Sequence, residues 1–285
     1  MNPIGVFDSG FGGLTVLRAL RAALPTHDFV YLGDTGRAPY GGRDTDVILD
    51  LSEQCVERLF EEGCRLVVVA CHTVSSVGLR HMQRRYLSDD PESPRRVLGV
   101  TIPAVEMAVS RPGARIGFIG TARTIASGTF AIEAKKLGAE NVSLRAAPLL
   151  AAIVEEGWED TPIARQAVER YVSDWSEIDT LVLGCTHYPL LMAAFRAALP
   201  ESVTVLDPAP FIAARLVDWL ARHPGFSGPS EGSLRVLSSG NPATFAEHGA
   251  RFLGAPLPAV EHVAEECSRL VPRERPASPL GQVVR

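Results

Sequence analysis

Short hydrophobic runs alternate with longer amphipathic segments along most of this chain. Runs typical of strands occupy residues 4–7, 29–32, 66–70, 97–100, 115–120, 142–147 and 180–184. Segments with a helical period lie between them, and two further strand–helix units are predicted over 202–223 and 233–254. Continuous apolar strands separated by crossover helices are typical of parallel sheets covered on both faces. The pattern predicts an α/β fold with mainly parallel sheets and flanking helices.

The first half of the chain is similar to the second at two predicted strand ends. IGVFDSG at 4–10 is similar to IGFIGTA at 116–122, and VVVACHT at 67–73 is similar to LVLGCTH at 181–187. The offsets of 112 and 114 residues favour two pseudo-symmetric domains whose matching loops face each other across a cleft. Coincidence between two ordinary strand–helix turns is the alternative. We expect a first domain over 1–97 plus 207–270, a second over 98–206, and a flexible tail over 271–285.

Composition narrows the classes of function. The chain has 285 residues with a net charge of −5, and it shows neither a basic face nor an apolar run of the roughly 20 residues that span a bilayer. We therefore expect neither nucleic acid nor membrane as a partner. The first residues lack the features of an export signal, which favours a cytoplasmic protein. Lys135 and Lys136 are the only lysines, so chemistry through a Schiff base, including that of pyridoxal phosphate, is disfavoured.

Candidate chemistry lies in four loops that follow predicted strands: FDSGFGG, LGDTGRAPYGGR, ACHTVSS and GCTHYPLL. The first imitates a dinucleotide-binding fingerprint, but Thr15 stands where the third glycine would fall, and Asp8 would bring a negative charge to the pyrophosphate. We expect instead a tight turn that presents Asp8 and Ser9 and leaves backbone N–H groups free for a small anion such as a carboxylate.

The five cysteines are too few and too odd in number for a disulfide framework. Cys71 and Cys185 occupy matching positions, each after an apolar strand and before a predicted helix. A helix N-terminus lowers the pKa of a thiol, so a thiolate is expected at both positions. Packing is the better explanation for Cys55, Cys64 and Cys267.

Three kinds of chemistry fit two such cysteines. Proton removal from one face of a carbon acid and return to the other needs two acid/base groups, which is the requirement of a racemase. Cys71, His72, Cys185 and His187 also offer enough donors for a tetrahedral zinc site. A cysteine nucleophile with His187 as its base is the third reading.

Motifs spread over most of the chain resemble those of glutamate racemases, in the cofactor-independent aspartate/glutamate racemase superfamily. They are GVFDSGFGGLTV, GDTGRAPYG, the residues around Cys71, GVTIPA, GFIGTARTIASG, PLLAAIVEEG, GCTHYPLL and LDPA. The resemblance implies two α/β domains with the active site between them, no cofactor and no catalytic metal. It also implies glutamate as substrate and a supply of D-glutamate for peptidoglycan. Members are often dimers, so a homodimer is a candidate assembly.

The resemblance also implies roles for individual residues. Cys71 and Cys185 would be the two bases, one for each enantiomer, assisted by Asp8 and His187. The residues implied to line the substrate, besides these, are Ser9, Pro39, Tyr40, Gly41, Thr73 and Thr186. Asp34 and Glu155 match acidic positions of the family near the site. The alternative interpretation of Asp34 is a turn residue, and that of Glu155 is a solvated charge on a helix. Tyr40 could equally be a half-buried aromatic over the cleft.

The chain departs from the family motif after the first cysteine. His72 stands where the motif has Asn, and Val74 where Ala is usual. Imidazole is bulkier than an amide and titrates near pH 6.5, so His72 could preserve a substrate contact, change the preferred substrate or impair turnover. The alternatives to a glutamate racemase are a racemase of another acidic amino acid such as aspartate, and a non-catalytic Cys/His metal-binding protein.

Overall fold

The structure is a computed structural model that describes residues 2–88, 94–111 and 113–263. Its strands are β1 (Ile4–Asp8), β2 (Phe29–Gly33), β3 (Leu66–Val69), β4 (Arg96–Gly99), β5 (Ile116–Gly120), β6 (Val142–Ala146), β7 (Thr180–Gly184), β8 (Thr204–Leu206), β9 (Leu234–Ser238) and β10 (Val260–His262). Its α-helices are α1 (Gly13–Ala23), α2 (Thr45–Glu61), α3 (His72–Val77), α4 (Leu79–Tyr86), α5 (Thr101–Val109), α6 (Ala122–Ala126), α7 (Thr129–Lys136), α8 (Leu149–Glu155), α9 (Pro162–Val172), α10 (Met192–Ala198), α11 (Ala209–Arg222) and α12 (Pro242–Leu253). The short edge strand β10 was not predicted.

The strands form two parallel sheets. One has the order β10-β9-β2-β1-β3-β4 and the other the order β6-β5-β7-β8. Four strands of the first sheet, β2-β1-β3-β4, therefore recur in the second in the same order. The register also recurs, since Ile4 lies opposite Phe29 and Leu66, while Ile116 lies opposite Val142 and Thr180. The α/β prediction is confirmed, and the repeat seen in the sequence corresponds to a repeat of topology.

The central strands are buried along their whole length because helices cover both faces of each sheet. Every residue of β1, β2, β3, β5 and β7 is buried. Continuous burial explains why these strands lack polar alternation. Asp8 is the last residue of β1, and the carboxyl ends of strands are where ligands bind in open α/β sheets.

The strands of the first sheet lie within residues 4–99 and 234–262, and those of the second within residues 116–206. Residues of β4 pair with β3 from Leu66↔Arg96 to Val69↔Gly99, so a boundary between 97 and 98 would cut a strand. We therefore propose that the first segment of the first domain extends through Gly99. The predicted tail over 271–285 lies outside the described residues. Among the helices that are described, none is long and apolar enough to span a bilayer.

Helix α12 has clear signals at both ends. The Asn241 side chain accepts the N–H groups of Ala243 and Thr244, and Pro242 occupies the first turn. Gly254 ends the helix with a φ of 75°, the left-handed conformation that glycine adopts at little cost. These signals fix the length of α12, whose last turn lies against the second domain.

Candidate active site

Cys71 lies two residues after the end of β3, at the N-cap position of α3. Its Sγ atom is 3.5 Å from the hydroxyl of Ser9. Burial, the Asp8 carboxylate and the charge of Cys185 raise the pKa of the Cys71 thiol to about 12. The expected lowering of this pKa by the helix N-terminus is therefore wrong, because desolvation and nearby negative charge outweigh the helix dipole. Cys71 is a protonated thiol at neutral pH.

Asp8 lies at the end of β1 and is fully buried. One carboxylate oxygen accepts the N–H of Gly10 at 2.8 Å, and the other accepts the hydroxyl of Thr186 at 3.4 Å. Burial raises its pKa, against the effect of His187 and of these hydrogen bonds. Asp8 thus connects the loop after β1 to the loop after β7.

Cys185 follows β7 and lies beside an imidazole–carboxylate pair. Its Sγ is 3.8 Å from His187 Nδ1, and His187 Nε2 is 2.9 Å from Glu155 Oε1. Although burial disfavours the cation, the contacts with Cys185 and Glu155 raise the pKa of His187 to about 10. Burial likewise opposes ionisation of Glu155, but His187 keeps its pKa below the usual value. Glu155 is therefore part of the site and not merely a solvated helix charge. We call Cys185, His187 and Glu155 the Cys185 triad.

The two cysteines consequently have opposite environments. Cys71 lies near the Asp8 carboxylate, which helps to raise the pKa of this thiol, whereas Cys185 Sγ lies 3.8 Å from the imidazole of His187. Two thiol groups with opposite neighbouring charges suit the delivery of a proton to one face of a carbon acid and the removal of one from the other. The sequence repeat predicted two equivalent thiols, and the structure makes them complementary.

Asp34 holds the loop after β2 in place. Its carboxylate is fully buried and accepts hydrogen bonds from Arg37 Nε at 2.9 Å, from the Ser239 hydroxyl at 2.5 Å and from the Tyr40 hydroxyl. The Tyr40 side chain is therefore buried behind the loop, with its hydroxyl directed at Asp34. Neither a simple turn residue nor an aromatic over the cleft describes this arrangement, because both side chains serve as internal supports.

Replacing Asp34 by alanine is expected to lower the free energy of unfolding by about 3 kcal/mol, because the largely buried Arg37 guanidinium then loses its carboxylate. Urea denaturation followed by circular dichroism measures this change. Asp174→Ala is the control, since Asp174 pairs with Arg145 at the exposed surface and its loss should change stability little. Equal effects of the two substitutions would contradict the supporting role of Asp34.

The loop that contains Pro39 and Gly41 contacts the second domain. The N–H of Arg123 donates to the Gly41 carbonyl at 3.0 Å, and a Cβ atom at Gly41 would lie 2.9 Å from Cβ of Thr121. Pro39 accepts a hydrogen bond from Arg43 through its carbonyl. The close approach explains why glycine stands at position 41, since a side chain there would push the domains apart.

Thr73 belongs to a cluster of three hydroxyl groups at the domain boundary. Its Oγ1 is 2.9 Å from that of Thr121 and 3.2 Å from that of Thr124, which are themselves 2.8 Å apart. Thr121 and Thr124 were not predicted. The signal that could have identified them is their position after β5, which matches that of Ser9 and Gly12 after β1.

His72 is the first residue of α3 and is buried. Its ring lies 5.9 Å from that of Phe130, and its Nδ1 atom is buried with no hydrogen-bond partner among the residues that the structure describes. Desolvation lowers the pKa of His72 to about 3, so the imidazole is neutral throughout the physiological range. Phe130 in turn covers Gly184, where a Cβ atom would lie 2.8 Å from the Phe130 ring. His72 therefore contacts Phe130, which packs against β7, the strand that Cys185 follows.

The lowered pKa of His72 predicts that acid destabilises the fold. Below the unfolded-state pKa of about 6.5, His72 binds a proton in the unfolded chain but not in the folded chain. The free energy of unfolding therefore falls as pH drops towards 3. Between pH 7 and pH 5 this residue is expected to cost about 2 kcal/mol. Urea denaturation of wild type and His72→Asn at both pH values tests this. Between pH 7 and pH 5 the free energy of unfolding of the variant should fall by about 2 kcal/mol less than that of wild type. Identical pH dependence in the two proteins would contradict a neutral, buried His72.

Gly12 and Thr15 have roles that the sequence did not reveal. A Cβ atom at Gly12 would lie 2.2 Å from the Thr186 hydroxyl and 2.5 Å from His187 Nδ1. The Thr15 hydroxyl is 2.8 Å from the Gly12 carbonyl and 3.0 Å from that of Thr186. The residue that broke the dinucleotide fingerprint therefore joins the two domains beside the Cys185 triad.

The zinc reading is not supported by how the donors are arranged. Nowhere in residues 2–88, 94–111 and 113–263 do three His, Cys, Asp or Glu side chains form a group suited to a metal ion. Cys55 and Cys64 are buried, as their assignment to packing predicts, although Cys55 also accepts a hydrogen bond from Arg37. Cys267 lies outside the described residues.

Comparisons with known proteins agree with this geometry. A family model described as Asp/Glu/Hydantoin racemase matches residues 14–216. The chain is 39% identical over 267 residues to the glutamate racemase of Roseobacter denitrificans, covering 88% of this chain and 96% of that one. The glutamate racemase of Thermus thermophilus in complex with β-chloro-D-alanine superimposes with a TM-score of 0.82 at 36% identity, covering 93% of this chain and 98% of that one. The glutamate racemase of Francisella tularensis in complex with D-glutamate gives a TM-score of 0.83 at 28% identity, covering 92% and 97%. With its paired cysteines at matching strand ends and this extent of similarity, the chain belongs to the Asp/Glu/hydantoin racemase family.

Proposed function

We propose that this protein interconverts L- and D-glutamate by two-base proton transfer at the α-carbon. The observation that carries the proposal is that Cys71 lies near a carboxylate, Asp8, whereas Cys185 lies beside an imidazole, His187. A one-base enzyme needs only a single activated thiol, whereas here a protonated thiol and a cation-paired thiol follow equivalent strands of two similar sheets.

In one direction, the Cys185 thiolate removes the α-proton, and the Cys71 thiol then donates its proton to the opposite face. Cys185 then carries the proton and Cys71 the negative charge, so the same pair is ready for the other enantiomer. His187 stabilises the Cys185 thiolate as an imidazolium. Ser9 and Asp8 stand beside Cys71 and are the groups placed to return its proton. The hydroxyls of Thr73 and Thr186 are proposed to bind the substrate carboxylates, which stabilises the charge that develops at the α-carbon.

Glutamate is preferred over aspartate as the proposed substrate because the relatives described above are glutamate racemases, and one of them holds D-glutamate. We further propose a cytoplasmic role in supplying D-glutamate for peptidoglycan, without a cofactor. A homodimer stays a prediction.

Circular dichroism of L-glutamate and, in parallel, L-aspartate after addition of the protein tests the proposal. We expect the signal of L-glutamate to decay to zero and that of L-aspartate to change far more slowly. A faster change with aspartate would assign the chain to aspartate. No change with either amino acid, together with stoichiometric zinc by metal analysis, would support the metal-binding alternative.

A further inference from the structure

The last turn of α12, which belongs to the first domain, supports the Cys185 triad in the second. We propose that Arg251 is a positioning residue that sets the orientation of Glu155 towards His187. The inference rests on the proposed function for its kinetic meaning. The contacts that carry it involve a helix in which the sequence showed no chemistry.

Arg251 bonds directly to the end of α8, the helix that contains Glu155. Its Nη2 atom donates to the carbonyls of Val154 at 3.1 Å and Glu155 at 3.2 Å. Its Nη1 atom bonds both carboxylate oxygens of Glu159 at 3.0 and 3.1 Å. One guanidinium therefore binds the helix terminus and the chain that leaves it.

The chemistry of this terminus requires an arginine. The last carbonyls of a helix lack intrahelical partners and carry a partial negative charge, which a cation stabilises. The planar guanidinium can serve carbonyls and a carboxylate at once, whereas a lysine ammonium cannot reproduce that fork. Gly157 leaves room for it, since a Cβ atom there would lie 2.7 Å from Arg251 Nη1, and its φ of 75° also favours glycine.

The neighbouring residue of α12 supports the other partner of the pair. The Phe252 ring lies edge-on to the His187 ring at a centroid distance of 5.3 Å and is fully buried. Arg251 therefore holds the backbone of Glu155 while Phe252 limits the tilt of His187. The 2.9 Å contact between Glu155 and His187 is fixed from both sides by consecutive residues of the first domain.

The consequence is that the Cys185 triad is supported by Arg251 and Phe252 only when the domains are closed. Movement of α12 away from α8 would free Glu155 and weaken its contact with His187. The charged or titratable groups that face Glu155 from the surrounding elements are His187, His248 of α12 and Arg251 itself. Domain closure would thereby favour the imidazolium that stabilises the Cys185 thiolate.

Kinetic isotope effects separate this role from general support. Cys185 removes the α-proton of one enantiomer and Cys71 that of the other. In Arg251→Gln we expect kcat/KM to fall about tenfold or more in both directions, since the equilibrium constant is unchanged. The α-deuterium isotope effect should rise for the enantiomer deprotonated by Cys185 and fall for the other. Arg251→Lys should recover only part of the activity.

Arg123→Gln is the matched control. Arg123 also joins the domains, through the carbonyl of Arg43 and the carboxylate of Asp44, but it does not touch α8. Its loss should change the two isotope effects in the same direction. If Arg251→Gln behaves like Arg123→Gln, or leaves both isotope effects unaltered, the positioning role is wrong.

A measurement without turnover distinguishes failure of this inference from failure of the proposed function. In protein labelled with 15N-histidine, NMR titration should show His187 cationic at pH 8, with its signal assigned by comparison with His187→Gln. In Arg251→Gln the pKa of His187 should fall, and a urea midpoint confirms that the variant is folded. An unchanged titration overturns the inference even if the protein proves not to racemise glutamate.

Discussion

Replacing Cys71 or Cys185 by alanine is expected to abolish racemisation, lowering kcat by about 10³-fold or more in both directions. Each thiol has a separate task in every turnover, because the proton is removed on one face and delivered on the other. Without either thiol, one of the two proton transfers at the α-carbon has no acid/base group. Circular dichroism with L-glutamate and with D-glutamate measures both directions.

Cys64→Ala is the matched control for these substitutions. Cys64 is also a buried free cysteine, but it lies just before β3, at the opposite end of that strand from Cys71. It should retain activity with at most a modest loss of stability. Substantial racemisation by Cys71→Ala or Cys185→Ala would overturn the two-base assignment, as would inactivation by Cys64→Ala.

Replacing His187 by glutamine is expected to lower kcat by about 10²-fold at pH 7. His187 is cationic at any pH below about 10, so wild-type Cys185 has a counter-ion throughout the neutral range. Without that cation the thiolate is less favourable relative to the thiol. The variant should therefore regain part of its activity as pH rises, and the rising limb of its pH–rate profile should move to higher pH.

Two further substitutions test whether the change in the pH–rate profile of His187→Gln comes from loss of the imidazolium. Glu155→Gln should shift the profile in the same direction but less, because it removes only one of the two groups that hold the imidazolium. His223→Gln is the control, since His223 stacks on Trp219 away from both cysteines and should leave the profile unaltered. A pH–rate profile of His187→Gln that coincides with that of wild type would contradict the proposed imidazolium.

Much of the fold was predictable because it depends on local patterns. Buried parallel strands need continuous apolar runs, and each run from 4–7 to 180–184 corresponds to a strand with bounds within two residues. β10 was missed because its three residues are mostly exposed at a sheet edge and lack that pattern. The boundary after residue 97 fell inside β4, since a change of sheet leaves no mark on hydropathy.

The sequence carries local signals for the candidate site residues but not for the residues that support them. Cys71, Cys185 and Asp8 stand after apolar strands, where the sequence itself marks them. Ser239 also follows a strand, so the same criterion could have identified it as a partner of Asp34. Arg251 lies within an ordinary amphipathic helix, and no local signal distinguishes it from a solvated arginine.

By itself the sequence determined the α/β class, the repeat, the paired thiols and the motifs that indicate the family, because each is a property of short segments. Only the tertiary structure decided the surroundings of each thiol. The pKa of Cys71 depends on burial and on Asp8, which is distant along the chain, while Cys185 lies beside the Glu155–His187 pair. Burial also made His72 a neutral imidazole, and packing of distant segments brought Arg251 of α12 to the end of α8.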